Sequence, residues 1–65
     1  MNIAIHIESA IDLARQASLE NEFPVGAMVI QADGRVIGRG YNQKETLKDP
    51  TAHAEVLAIR DAVNT

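Results

Sequence analysis

The first part of the chain carries apolar side chains at the spacing of a helical stripe. They recur every three or four positions from Ile3 to Ala17, while most charged side chains lie off that stripe. The helix is expected to end before Pro24, because a proline disfavours the helical conformation of the residue before it. The sequence therefore predicts an amphipathic helix over residues 3 to about 20.

Two short strands are predicted next. Residues 25–30 form a nearly continuous apolar run, too short for a typical helix, of the kind found in strands covered on both faces. The Asp-Gly pair at 33–34 is a strong hairpin signal, and residues 35–42 provide the second strand. Gly38 and Gly40 share one face of that strand, where glycine often marks close approach of another backbone or of a ligand.

A second helix is predicted to start within residues 49–51. Either Asp49 or Thr51 can cap a helix, and the proline between them suits the first helical position. The apolar stripe of this helix is predicted to comprise Ala52, Val56, Ile59 and Val63. The order helix, strand, strand, helix indicates an α/β fold, and it is incomplete because two strands do not make an independent sheet.

Composition restricts how this chain can be stabilised. Its 65 residues are 46% hydrophobic, with one Tyr and one Phe, and the formal charge of −3 argues against a generic basic nucleic-acid-binding domain. The absence of cysteine excludes disulfides and any cysteine-ligated metal site made by this chain alone. No apolar run approaches the roughly 20 residues that cross a bilayer, so we expect no membrane partner and a cytoplasmic protein.

His53 and Glu55 are the strongest candidates for chemistry. The cap signals place this imidazole and carboxylate near a helix N-terminus, where unpaired N–H groups and a partial positive charge favour an anion. Residues two positions apart point to different sides of a regular helix, so the two side chains can converge only at its first turn. The same pattern also fits a surface histidine beside a glutamate that solvates the helix, and the pattern alone leaves both interpretations open.

Four segments carry a resemblance to a known family. They are Pro-Val-Gly-Ala at 24–27, Asp-Gly at 33–34, Val-Ile-Gly-Arg-Gly-Tyr-Asn at 36–42 and Asp-Pro-Thr-Ala-His-Ala-Glu at 49–55. In this order they resemble the zinc-dependent cytidine/deoxycytidylate deaminase superfamily, with bacterial tRNA-specific adenosine deaminases first and guanine deaminases next. The resemblance implies that residues 1–65 are the N-terminal half of a three-layer α/β/α cytidine-deaminase-like domain.

The resemblance also implies roles for particular residues. His53 matches a zinc ligand, and Glu55 matches the general acid/base that takes a proton from zinc-bound water and delivers protons to the ring nitrogen and the leaving ammonia. Asn42, Val25 and the backbone around Ala54 resemble the parts of the pocket that contact the base. From the residues alone, Asn42 also fits a turn at a strand end, and Val25 also fits the core.

The family's Pro-Cys-x-x-Cys segment is absent from this chain. Because a catalytic zinc site needs three protein ligands, we expect the chain alone neither to hold zinc tightly nor to deaminate. We expect a portion of a deaminase acting on adenosine in tRNA, with guanine and cytosine or deoxycytidylate as alternative substrates. A second hypothesis is a non-catalytic remnant or half-domain that pairs with its own copy or with a separate cysteine-bearing half, because uncovered strand edges favour pairing.

Overall fold

The computed structural model describes residues 2–64, which fold in the order helix, strand, strand, helix. Helix α1 spans Ile3–Leu19, strand β1 spans Gly26–Ile30, strand β2 spans Val36–Tyr41 and helix α2 spans Ala54–Val63. The predicted element order and the α/β class are confirmed. Neither helix of the described part combines the length and the apolar character that crossing a membrane requires.

The two ends of α1 are fixed by local hydrogen bonds. At the start, the side-chain oxygen of Asn2 accepts from the N–H of Ile5 at 3.4 Å, as an N-cap does. At the end, Asn21 has φ +60°, and the N–H of Glu22 donates to the carbonyl oxygen of Ala17 at 2.9 Å. This is a Schellman motif, and it directs the chain from α1 toward β1.

Strands β1 and β2 form an antiparallel hairpin, in which Ala27 pairs with Gly40. The connecting turn contains Gly34 at φ +93°, a conformation that L side chains rarely adopt. The carboxylate of Asp33 supports the turn by accepting from the N–H of Arg35 at 2.9 Å. The hairpin predicted from the Asp-Gly pair is therefore confirmed.

The two helices lie on opposite faces of the hairpin. A Cβ built on Gly26 would meet the carbonyl oxygen of Ala10 in α1, whereas one built on Gly40 would lie 2.5 Å from the carbonyl oxygen of Ala54 in α2. Gly26 pairs with Tyr41, the residue next to Gly40, so the alternation of side chains turns these two glycines to opposite faces. The expected three layers are present, and the close backbone approach predicted at Gly40 is confirmed.

Helix α2 begins later than the cap signals predicted. Asp49 does not cap it, because its carboxylate instead accepts from the N–H and the hydroxyl of Thr51 at 2.9 and 2.7 Å, within a turn. His53 is the N-cap, and the first helical residue is Ala54. Residues 49–51 therefore form a side-chain turn instead of the start of the helix.

The apolar stripe predicted for α2 is only partly correct, because Ala52 is fully buried but precedes the helix, and Val56 is partly buried. Ile59 and Val63 are 56% and 78% exposed. The residues of α2 that approach the glycine face of β2 include Ala54, Ala58 and Ala62. Glycines in the strand let the helix backbone come close, and at that distance only small side chains fit between them.

Candidate active site

Three chain segments meet where β1 starts, β2 ends and α2 starts. The N–H of Asn42 donates to the carbonyl oxygen of Val25 at 3.1 Å, and the N–H of Gln43 donates to the carbonyl oxygen of Ala52 at 3.0 Å. Ala52 directly precedes His53. These backbone hydrogen bonds bring the predicted site segments to one end of the hairpin.

His53 and Glu55 lie on either side of the first residue of α2. His53 has an extended backbone at φ −74° and ψ 153°, and its side chain makes no capping hydrogen bond. Both side chains are exposed, whereas Ala54 between them is fully buried against Gly40. The backbone is thus held by packing, while the imidazole and the carboxylate face solvent at a helix end that favours negative charge.

Asn42 and Val25 differ in exposure. Asn42 is only 6% exposed, and it lines a cavity of about 260 Å³ together with Phe23 and Lys44. Val25 precedes β1 and is 37% exposed. The structure therefore places Asn42 in the wall of a polar cavity, whereas Val25 lies in a more exposed position beside it.

Glu22 also contributes to this region, although no motif in the sequence marks it as a site residue. The residue is 6% exposed, and its carboxylate accepts from the N–H of Glu45 at 3.2 Å. It also accepts from the N–H and the hydroxyl of Thr46, at 2.6 and 2.7 Å. No local spacing signals these contacts, because the partners lie 23 and 24 positions along the chain.

The environment of Glu22 favours its ionised form. Burial alone would raise the pKa of this carboxyl, but hydrogen bonds from Thr46 and Glu45, with the nearby charge of Lys44, outweigh burial. The pKa of Glu22 therefore lies below its ordinary value of 4.5. The ionised Glu22 therefore adds to the free energy of unfolding at pH values above 4.5. This contribution is lost as the pH falls through the lowered pKa of Glu22.

A complete metal centre is not formed within residues 2–64, where no group of three His, Cys, Asp or Glu side chains could hold a metal ion. Catalytic zinc needs three protein ligands. Of the ligands that the resemblance implies, this chain carries His53. The described residues therefore do not fit zinc by themselves, and they offer one imidazole and one carboxylate at the start of α2.

Residues 2–65 match the family described as the cytidine and deoxycytidylate deaminase zinc-binding region, and the chain belongs to this family. The chain is 45% identical over 56 residues to the tRNA-specific adenosine deaminase of Aquifex aeolicus, covering 86% of this chain and 36% of that protein. It is also 49% identical over 53 residues to a tRNA(Ile)-lysidine synthase of Deinococcus radiodurans, covering 82% of this chain and 9% of that protein. The resemblance drawn from the four segments is confirmed.

Two solved structures share this fold. One comes from a study of A-to-I editing by tRNA:A34 deaminases, with a TM-score of 0.85 and 43% identity over 97% of this chain and 48% of that chain. The other is guanine deaminase from Bacillus subtilis, with a TM-score of 0.88 and 40% identity over 98% of this chain and 41% of that chain. The chain thus spans less than half the length of each.

Proposed function

We propose that residues 1–65 are the N-terminal part of a zinc-dependent hydrolytic deaminase that converts adenosine in tRNA to inosine. The observation that carries this proposal is the packing of Ala54 against Gly40, which holds His53 and Glu55 at the helix start beside the strand end that bears Asn42. The identity to the A. aeolicus tRNA-specific adenosine deaminase supports the substrate. We also propose that the protein acts in the cytoplasm.

Each residue has a distinct part in this proposal. Zinc bound in the complete enzyme would supply Lewis-acid chemistry, and His53 would be one of its ligands. Glu55 holds and moves the proton that passes from the attacking water toward the ring nitrogen and the departing amino group. Asn42 hydrogen-bonds the base, and Val25 and the backbone of Ala54 line its pocket.

Guanine is the alternative substrate, because the guanine deaminase of B. subtilis matches this chain with a TM-score of 0.88. A chimera separates the two possibilities. In it, this chain replaces the matching segment of the A. aeolicus deaminase, whose remaining sequence is kept. We expect inosine to form in a tRNA anticodon stem–loop and little ammonia to be released from guanine. Turnover of guanine alone, or of neither substrate by a folded and zinc-loaded chimera, would contradict the proposal.

The 65-residue chain by itself provides the complementary measurement. Because three protein ligands are required and His53 supplies one, titration with zinc alone is expected to give no tight site. The same chain is expected to form no inosine. Calorimetry that detects one tightly bound zinc per chain would show that this chain assembles a complete centre without the remaining sequence of its relatives.

A second candidate role is assembly with another chain. It is supported by a difference between the two edges of the sheet, because a backbone N–H on the edge of β2 is already hydrogen-bonded and the edge of β1 is open in the described part of the chain. In the middle of β2, the N–H of Arg39 donates to the carboxylate of Asp61 on α2 at 2.9 Å. Arg39 pairs with Met28, so the antiparallel ladder turns the backbone N–H and carbonyl of Met28 toward the other edge. Within residues 2–64 that edge of β1 has no neighbouring strand.

Apolar side chains accompany this open edge. Ile3 and Ile7 of α1 line a cavity of about 260 Å³ with Met28 and Ile30 of β1, and these two helix residues are 64% and 55% exposed. Exposed apolar patches of this kind mark interaction surfaces. We infer that the occupant is a cysteine-bearing half that adds a strand to β1, because the solved relatives are more than twice as long as the matched part.

Substitution of Ile7 tests this surface. Ile7→Lys is expected to weaken assembly with the remaining A. aeolicus segment, supplied as a separate chain, by about tenfold or more, because burying an isoleucine contributes about 1.5–3 kcal/mol. Ile5→Lys is the matched control, since Ile5 is equally exposed at 56% and is not among the residues that line the cavity. Sedimentation velocity gives both affinities, and equal effects of the two changes would contradict this placement.

The same measurement on the chain alone decides between partners. Self-association that Ile7→Lys abolishes would assign the surface to a second copy rather than to a cysteine-bearing half. A monomer that captures no partner segment at micromolar concentration would remove the assembly role.

A further inference from the structure

Glu22 and Asn42 are the buried polar side chains of the described residues, each 6% exposed. A buried carboxylate needs hydrogen-bond donors, and Glu22 finds them in Glu45 and Thr46. We call this carboxylate with its three hydrogen bonds the Glu22 latch. The proposed chemistry assigns no role to any of these three residues.

The loop held by the latch joins the two sides of the candidate site. It runs through residues 43–52, from Asn42 at one end to His53 at the other. The loop also closes on itself, because the N–H of Leu47 donates to the carbonyl oxygen of Gln43 at 2.9 Å. The N–H of Asp49 likewise donates to the carbonyl oxygen of Lys44, at 3.0 Å. Fixing two residues of such a compact loop therefore restrains its whole course.

Glu22 contacts the loop from a segment whose own backbone is fixed by hydrogen bonds on both sides. On one side, its own N–H is bonded to Ala17 in the Schellman motif that ends α1. On the other side, Val25 follows within the same segment and accepts the N–H of Asn42. The chain before β1 thus contacts Asn42 directly and contacts the loop beyond it through the latch.

We propose that Glu22 is a positioning residue of the deaminase site, whose latch sets the placement of Asn42 relative to His53. This inference rests on the proposed function, because positioning has meaning only where these two residues act on one substrate. Displacement of a catalytic group by about 1 Å can lower a rate by about 10²-fold, so a mobile loop here would be costly.

Glu22→Gln tests the latch with little change in size. Glutamine offers one acceptor oxygen and turns two N–H donors toward groups that are themselves donors. In the 65-residue chain, amide exchange at Glu45 and Thr46 is expected to quicken by about tenfold, and the side-chain amide resonance of Asn42 to shift. Glu8→Gln, an exposed change on α1, is the matched control and is expected to alter neither.

Kinetics of the chimera give the second readout. Glu22→Gln is expected to raise KM and lower kcat, reducing kcat/KM by about 30-fold at unchanged zinc content. Thr46→Val removes the hydroxyl bond alone and is expected to give a smaller loss in the same direction. A purely structural role would lower the amount of active enzyme and leave KM unchanged, so an unchanged KM overturns the inference.

The two proposals fail in different ways. Loop exchange that is the same in Glu22→Gln as in Glu8→Gln would overturn the latch, whatever the activity of the chimera. A zinc-loaded chimera that does not act on adenosine in tRNA would overturn the proposed function, and exchange at Glu45 and Thr46 would then decide whether the latch exists.

Discussion

Glu55→Gln in the chimera is expected to lower kcat for adenosine in tRNA by about 10³-fold, within the range that positioned general acid–base catalysis contributes. Glutamine keeps the shape of the side chain and cannot exchange a proton. Because Glu55 is exposed and its segment is held through buried Ala54, the fold should not change. The result would assign proton transfer to this carboxylate.

Single-turnover formation of inosine is the measurement, because it separates chemistry from release of the tRNA. Glu8→Gln provides the same chemical change at an exposed position of α1 and is expected to stay within about twofold of the parent rate. The helical circular-dichroism signal should be equal in both variants. Turnover by Glu55→Gln at the parent rate would remove Glu55 from its proposed role.

Gly40→Ala is expected to destabilise the chain by about 3 kcal/mol, at the upper end of the cost of overpacking. The new methyl would lie 2.5 Å from both the carbonyl oxygen of Ala54 and the backbone nitrogen of Ala58. Backbone atoms cannot turn aside as a flexible side chain does, so α2 must move away from β2. That movement would also displace His53 and Glu55, which lie at the end of α2 nearest Gly40.

Urea denaturation followed by circular dichroism measures this effect. Gly34→Ala adds the same methyl group in the hairpin turn, where φ is +93° and no atom lies within 4 Å of the new Cβ. It should therefore cost only backbone strain, about 1–2 kcal/mol. If Gly40→Ala proved no more destabilising than Gly34→Ala, close packing of α2 on Gly40 would be contradicted.

Elements with strong local signals were predictable from the sequence. Asp33 and Gly34 specify a turn between two apolar runs, and the structure has that hairpin. Glycines at positions 38 and 40 predicted a close approach, because two residues without a Cβ on one face of a strand leave room for another backbone. These signals act within a few residues, so one sequence suffices to find them.

The start of α2 could not be settled from the same kind of signal. Asp49 and Thr51 fit a helix cap and a side-chain turn equally well, and the choice depends on where the loop is held. The packing face of α2 was predicted only in part, because it is set by the glycines of β2. Against bare backbone, Ala58 packs closely, whereas the larger Ile59 stays exposed.

The residues of the candidate site also fall into two groups, those that local sequence indicates and those that only long-range contacts reveal. His53 and Glu55 were predicted as candidates from a local pattern together with the family resemblance, and the structure places them at the start of α2. Glu22 was missed, because its partner Thr46 lies 24 positions away and nothing near Glu22 in sequence reveals a donor. Contacts at that separation become visible only once the sheet and its connections are placed.

The bond between Arg39 and Asp61 has a consequence for polymerisation. A strand arriving at that border of the sheet would have to displace a carboxylate that already occupies the central N–H. Of the two sheet edges within residues 2–64, β1 is therefore the one more open to strand addition, and two molecules joined there would cover it. The asymmetry favours closed dimers in any self-pairing and works against the repeated strand addition that produces fibrils.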